Sequence, residues 1–365
     1  MKILFLAPYP AYESPSQRYR FEHYLDKLKQ DGIDYTYKPF LSLKAWTYFF
    51  QPGHVMKKTG AVLAGFCRRW GLMFTIARYD FVYVHREAAP IGPPVFEWII
   101  AKIFKKKIIF DFDDAIWVPV ASQYNRMAKF IKWPSKVATI CKLSYKVSVG
   151  NSFLANFAKK YCKDVQIVPT VVDTEVVHNK MQNQDIENPI VGWTGTITTL
   201  PYLQMAVPAL SKLQEKINFS FVVIANSNPQ LALTNYKFIK WRKETEVEDL
   251  LSMHIGLMPL ADGEIENGKC GFKAIQYLSL GIPAVVSPVG ANIQVVDDGK
   301  NGFVADTEDE WMSAIEKLIK DSELRKKMGA AGRNKIVEKY SVQSSYKQKH
   351  LLQPFDSYIC GRRQS

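Results

Sequence analysis

The segment GKCGFKAIQYLSLGIPAVVSPVG, residues 268–290, reads as a loop, a helix and a strand in succession. Gly268 and Gly271 bracket a flexible loop, Phe272 to Leu280 has the spacing of an amphipathic helix, and Gly281 and Pro283 end it. PAVVSP (283–288) then reads as a buried strand. Lys273 falls in the first turn of this helix, where a cation opposes the helix dipole by about 0.3 to 1 kcal/mol. An anion bridging the lysine and the exposed amides of the turn would remove that penalty. A solvent-facing lysine on an ordinary first turn is the plainer alternative. The spacing lacks the Gly-Lys-Ser/Thr of a Walker A loop, which argues against a phosphate-transferring P-loop.

The same alternation runs along the whole chain. Apolar, β-rich runs recur between helical stretches: KILFLAP (2–8), FVYVH (81–85), KKIIFDFDD (106–114), YKVSVG (145–150) and VQIVP (165–169). A second series follows: IVGWTG (190–195), FSFVVIA (219–225), HIGLMPL (254–260), PAVVSP (283–288) and GFVA (302–305). Continuous rather than alternating hydrophobicity marks strands covered on both faces, as in parallel sheets with crossover helices. At 365 residues and 47% hydrophobic, the chain is too long for one comfortable core. Two doubly wound α/β domains are expected, 1–168 and 169–340, with a hinge in VPTVVDTEVVHNKMQNQDIENP (168–189) that lets them close on a ligand. Residues 341–365 follow the last amphipathic stretch, 308–340, and are expected to cross back to the first domain. Ligands of such sheets sit beyond the carboxyl ends of the strands, so chemistry is sought in those loops and in the cleft the two domains share.

Five scattered cysteines (Cys67, Cys141, Cys162, Cys270, Cys360) without CxxC spacing read as reduced thiols of a cytoplasmic protein. MKILFLAPYP reads as a first strand rather than a signal peptide, and no apolar run reaches the roughly 18 residues of a membrane helix. Lys+Arg 48 against Asp+Glu 35 gives a net charge of +13, which favours an anionic partner. That charge is unevenly spread. Between Leu41 and Tyr79 there is no Asp or Glu, while Lys44, Lys57, Lys58, Arg68, Arg69 and Arg78 alternate with Trp46, Tyr48, Phe49, Phe50, Phe66, Trp70 and Phe74. Such a segment suits a surface resting on an anionic bilayer, and it equally suits helices packed on a core with snorkelling lysines. The expected localisation is cytoplasmic, peripheral on the inner face of the membrane.

FKAIQYLSLGIPAVVSPVGANIQVVDDGKNGFVADTEDEW (272–311) resembles the donor-binding segment of the GT-B glycosyltransferases of the large family 4. VPTVVDTE and VGWTGT resemble that family's interdomain stretch and the strand opening its second domain. The resemblance is strong over most of 165–340 and loose before it. It implies that Lys273 binds the donor's phosphates and that Gln276, standing where the family has a glutamate, meets a hydroxyl through its amide. Gly195, Thr196, Gly271 and Phe272 complete the implied donor site. The family's other glutamate falls on Gly268, with Glu264 or Glu266 as its replacement from the loop, and the family's Arg…Lys pair is replaced by Thr196 and Pro201.

The missing phosphate charge is sought in the first domain. After KILFLAP comes YPAYESPSQRYRFEHYL, where Ser14 and Ser16 precede a helix carrying Arg18 and Arg20. If the serines cap that helix, Arg18 points to the strand-end loop and its fork suits a phosphate; two arginines on a solvated face is the alternative. DFDDAIW ends a strand with Asp111, Asp113 and Asp114. Three carboxylates invite a hard cation. The resemblance implies a metal-independent enzyme instead, with Asp113 standing where the family has a histidine. Alternation aims Asp111 and Asp113 to one face, and Asp113 is assigned catalytic support and Asp114 acceptor recognition, with helix capping by Asp114 as the alternative. His85 and Arg86, in HREAAPIGPP at another strand end, complete the candidate acceptor residues with Ser14 and Ser16.

Together these imply a retaining glycosyltransferase with no bound cofactor. It would take a sugar from a UDP- or GDP-sugar to a glycan or lipid-linked acceptor hydroxyl in cell-envelope polysaccharide or glycolipid synthesis. Lys273, Arg18 and the 271–273 turn would meet the departing diphosphate, which itself helps deprotonate the acceptor. Two other readings stay open. A nucleotide-sugar 2-epimerase of GT-B architecture would need no acceptor. A nucleic-acid-binding protein rests on net charge alone and shows no motif of that class, so nucleic acid is not expected as a partner.

Overall fold

The computed structural model of the chain describes residues 1–119 and 133–347. The chain divides into two compact units, the second beginning at Val171.

The first unit carries β1 (Lys2–Ala7), α1 (Pro15–Arg18), β2 (Asp34–Pro39), α2 (Val55–Met73), β3 (Phe81–His85), α3 (Val95–Trp98, running on as a π-helix to Ile103), β4 (Lys107–Phe112), β5 (Lys146–Val149) and β6 (Val165–Ile167). Its strands form one parallel sheet in the order β2-β1-β3-β4-β5-β6. The inner strands bury nearly every side chain, which is why they read as continuous apolar runs. β2 (DYTYKP) is absent from the apolar series because it is an edge strand with one half-open face.

The second unit carries β7 (Val191–Gly195), α4 (Leu200–Lys216), β8 (Phe221–Ala225), β9 (Tyr236–Lys240), β10 (Ile255–Met258), α5 (Phe272–Ser279), β11 (Ala284–Val286), β12 (Gly302–Val304), α6 (Glu308–Lys320), α7 (Ser322–Lys339) and α8 (Val342–Lys347). The parallel sheet runs β12-β11-β10-β7-β8-β9. The amphipathic stretch 308–340 is two helices, because the Asp321 carboxylate accepts from Leu324 N at 2.8 Å and caps α7. Residues 341–347 stay with this unit: Val342 N donates to Val172 O at 2.9 Å and Val172 N to Tyr340 O at 3.0 Å. The remainder of the segment expected to cross back, 348–365, lies outside the described residues, as does Cys360. The other four cysteines form no disulfide among the described residues.

In both sheets the strand order reverses direction once, between β1 and β3 and between β7 and β10. The crossovers leave to opposite sides at such a point and part the loops at the carboxyl ends, which is where open α/β sheets bind ligands.

α2 corrects one expectation from the basic segment. Arg69 is 1% exposed, not a surface cation; its guanidinium donates to the carbonyls of Ala88 (2.7 Å), Lys38 (3.0 Å) and Ala7 (3.0 Å). It ties the helix to the ends of β1 and β2 and to the loop after β3. Gly65 on the same face lets the helix lie on the Phe40 ring, which a Cβ there would meet at 2.5 Å.

The loop before α5 is folded around Gly290, which has φ +59°. A Cβ there would stand 2.9, 3.1 and 3.2 Å from the carbonyl oxygens of Glu266, Lys269 and Asn267. Gly290→Ala is therefore expected to cost about 2 kcal/mol, from the left-handed backbone and the displaced loop together. Urea unfolding monitored by tryptophan fluorescence measures it, and an unchanged midpoint would refute the close approach.

Candidate functional site

In the second unit the switch point is lined by β7 and α5. Gly271, the N-cap of α5, has φ +68° and offers no side chain, so the helix start carries no side-chain cap. One turn in, Tyr277 anchors the helix: its hydroxyl accepts from Thr194 N at 3.0 Å and its ring fills the space above Gly256. Lys273 lies four residues earlier on the same face, and its ammonium sits 4.5 Å over the Trp193 ring. No carboxylate pairs with it among the described residues. Burial, with the nearby Lys269 charge adding to it, lowers its pKa to about 7.

The other expected donor residues sort by burial. Gln276 is 3% exposed, and its Nε2 has no acceptor among the described residues; the indole N–H of Trp193 is likewise unmatched. Gly195 lies against the Trp193 ring, which a Cβ would meet at 2.3 Å. Thr196 is exposed and its backbone N–H donates to Thr199 Oγ1 at 3.0 Å. Phe272 is half-buried. Glu266 is half-buried and accepts from the Tyr202 hydroxyl, whereas Glu264 is exposed.

In the first unit the switch point between β1 and β3 gathers a hydrogen-bonded cluster of charged and hydroxyl side chains. β3 and β4 lie in register with His85 opposite Asp111, so the two side chains meet without any turn. His85 Nδ1 is 2.8 Å from Asp111 Oδ2, and Asp111 also receives the Arg20 guanidinium and the Ser148 hydroxyl (2.8 Å). Burial alone would raise the Asp111 pKa; the Arg20 charge, helped by His85, overcomes it and holds the carboxyl far below its usual range. Asp113, two residues on, accepts from Ser16 Oγ (2.9 Å) and from Arg86 Nε (3.0 Å) and Nη2 (2.8 Å). Burial opposes ionisation there too, and Arg86 outweighs it, so Asp113 is held below its ordinary value. Arg86 bridges on to Asp114 from a left-handed backbone, φ +60°, a strained conformation for an arginine that aims its fork across the strand end. Ser16 Oγ is also 2.9 Å from His85 Nε2.

Ser16, His85, Arg86, Asp113 and Asp114 are thus brought together. Ser14, the residue before α1, is 7% exposed and makes no capping bond through its side chain. The arginine that enters the cluster is Arg20, not Arg18: α1 is a single turn, the chain bends at Tyr19, and the Arg18 guanidinium lies 4.8 Å over the Tyr19 ring. Asp111 is not open to a ligand, because its oxygens are taken by Arg20, His85 and Ser148. Strand period pointed to Asp111 beside Asp113; nothing in the sequence showed which arginine would turn inward.

The loop that presents Ser16 is held by Glu22. Its carboxyl accepts from Tyr12 N at 2.8 Å and from Gln17 Nε2 at 3.2 Å, while the Tyr37 hydroxyl donates to Tyr9 O at 2.6 Å. Burial pushes Glu22 up to about 7. A carboxyl raised in the folded state contributes stability that is complete below about pH 4.5 and is lost as pH rises through 7. Glu22→Gln should flatten this dependence, worth on the order of 2 kcal/mol between pH 5 and 8. Thermal melts of both proteins across that window compare the slopes, and equal slopes would sink the assignment.

Residues 188–321 match the protein family described as Glycosyl transferases group 1. No curated protein matches the chain in sequence. Solved structures do match in fold. Sucrose-phosphate synthase from Thermosynechococcus elongatus superposes with a TM-score of 0.67 at 12% identity, covering 99% of this chain and 100% of that one. Anabaena Alr3699/HepE in complex with UDP and glucose does so at 0.65 and 17%, covering 98% and 100%. A glycosyltransferase from Rickettsia africae reaches 0.62 at 13%, covering 95% and 96%. Residues 188–321 thus carry the match to the group 1 glycosyl transferases, and the chain as a whole shares the GT-B fold of two doubly wound sheets with these structures.

Proposed function

We propose that the chain transfers a sugar, with retention, from a nucleoside diphosphate sugar to an acceptor hydroxyl in cell-envelope polysaccharide or glycolipid synthesis. One observation carries this: the Lys273 ammonium, without a carboxylate partner among the described residues, sits at a helix start with no side-chain cap, beside the switch point of the second sheet. A half-buried cation with no carboxylate beside it among the described residues is costly, and a diphosphate supplies the counter-ion. The amides of the helix start would share the developing charge as the sugar–phosphate bond breaks. Gln276 would meet a hydroxyl of the donor with its unmatched amide, and Glu266 would take the place of the absent loop glutamate. The HepE structures, which hold UDP, glucose or UDP-glucose, favour a uridine nucleotide over a guanosine one. On the acceptor side, the ionised Asp113 would accept the hydrogen bond of the attacking hydroxyl, with Arg86 and Asp114 fixing its direction. Arg18, beyond that cluster, keeps only a proposed part in meeting the diphosphate.

Binding of the diphosphate should favour the charged form of Lys273, so a proton is taken up on binding between about pH 7 and 9 and affinity falls as pH rises through that window. Calorimetry with UDP-glucose in two buffers of different ionisation enthalpy reads the uptake. Lys273→Ala should abolish it and weaken binding by about 1.5 to 3 kcal/mol. Unchanged affinity in the folded variant would remove the donor site. Release of a free sugar without any acceptor would move the reading to the epimerase.

The acceptor or its carrier is proposed to lie at an anionic membrane. Met56, Leu63 and Trp70 recur every seven residues on the outer face of α2 and, with Phe74, are 89%, 61%, 50% and 90% exposed. Trp70 packs on Phe96 at 5.2 Å, which sets the exposed Trp98 and Ile103 and the exposed Lys102 and Lys105 beside that stripe. Glu97, the acidic residue of that second segment, is turned inward and accepts from Ala88 N at 2.8 Å. Among the described residues no helix is long and apolar enough to cross a membrane. Replacing Lys57, Lys102 and Lys105 by Glu should lower cosedimentation with phosphatidylserine-containing vesicles at least about tenfold, at about 1 kcal/mol per basic residue. Equal pelleting of both proteins would discard the membrane surface.

A further inference from the structure

One hydroxyl stands between two charged groups of the first unit. Ser16 Oγ is 2.9 Å from His85 Nε2 and 2.9 Å from Asp113 Oδ1, and a serine has a single hydrogen to give. Behind the ring, Nδ1 faces Asp111 in a pair with no solvent exposure on either side. The imidazole is surrounded by Asp111 from β4, Ser16 from α1 and the Phe21 ring at 5.4 Å; Arg20 and Ser148 stand behind Asp111, and Asp113 and Arg86 beyond Ser16. Because Asp111 is ionised, Nδ1 keeps its hydrogen, and the ring gains or loses its proton at Nε2.

Two hydrogen-bond arrangements follow. With a neutral ring, Nε2 accepts the Ser16 hydrogen and Asp113 loses that donor. With a charged ring, Nε2–H donates to Ser16, which turns its own hydrogen to Asp113. We propose that Ser16 is a positioning residue that couples the sealed His85–Asp111 pair to the Asp113 carboxylate, and so passes on the proton shed by the acceptor.

This rests on the acceptor role proposed for Asp113. As the acceptor oxygen bonds to the sugar carbon, the bond from that carbon to the diphosphate oxygen breaks and its electron pair leaves with the diphosphate. The acceptor proton moves to Asp113, Ser16 gives its hydrogen to Nε2, and Ser16 takes the hydrogen from Asp113 Oδ1. Asp113 ends ionised again, and the imidazolium is balanced by Asp111. The ring returns its proton to water by the same route before the next cycle.

The full chain labelled with 15N-histidine is titrated by NMR between about pH 5 and 8 as wild type, Ser16→Ala, Asp113→Asn and the double variant. Asp113→Asn should move the His85 midpoint by about half a unit or more when Ser16 is present. It should move it less than half as far in the Ser16→Ala background, with Ser16→Thr restoring the response. Equal displacements in both backgrounds overturn the coupling. In transfer assays Ser16→Ala should lower kcat about tenfold or more at neutral pH and alter the acid limb of the pH–rate profile, with the donor KM unchanged. A profile that keeps its shape in Ser16→Ala overturns the proton route. The NMR arm needs no substrate, so failure to find any transferred sugar would count against the acceptor role of Asp113 and not against the coupling.

Discussion

A parallel sheet whose strand order reverses has to part its loops, because the crossover on one side leaves toward one face and the next toward the other. Both sheets of this protein contain one such reversal, and every group given a chemical role lies beside one of them. Trp193 rides on β7 and Lys273 on the helix after β10; Ser16 and Asp113 follow β1 and β4, and His85 ends β3. The fold thus opens each layer at one place and leaves the side chains there to differ.

What distinguishes those side chains from the other buried charges is whether they are satisfied. Arg69 spends its donors on three carbonyls, and Asp111 is matched by a guanidinium, an imidazole and a hydroxyl. Such groups lock elements together because removing a partner would strand a charge in low dielectric. Among the described residues Lys273 has an aromatic face beneath it and no carboxylate beside it, and the Gln276 amide nitrogen has no acceptor. An unmet requirement of that kind in a ligand-binding position is what a substrate anion or hydroxyl is suited to fill. The strained backbone at Arg86 fits the same pattern, since the two N–H donations of its guanidinium to Asp113 Oδ1 offset the left-handed conformation.

Much of this was legible beforehand. The ten continuous apolar runs all became strands, because burial on both faces leaves an unmistakable composition. β2 and β9 were not seen: both are edge strands, no residue of DYTYKP or YKFIK is fully buried, and an edge needs no continuous apolar run. The helix over 272–279 and its lysine were legible from glycine placement and period. Arg20 and Arg69 were misjudged, Arg20 in favour of Arg18 and Arg69 as a surface cation, because an arginine buried by carbonyl and carboxylate partners from distant strands looks, in sequence, like any solvated one.

By itself the sequence determined the class of fold, the two-part organisation and the presence of a cation at a helix start, since those follow from local period, composition and turn chemistry. Only the tertiary structure decided which charges are neutralised: pairing depends on strand order and register, as where β3 and β4 set His85 against Asp111, and residues 26 positions apart meet for no reason visible along the chain.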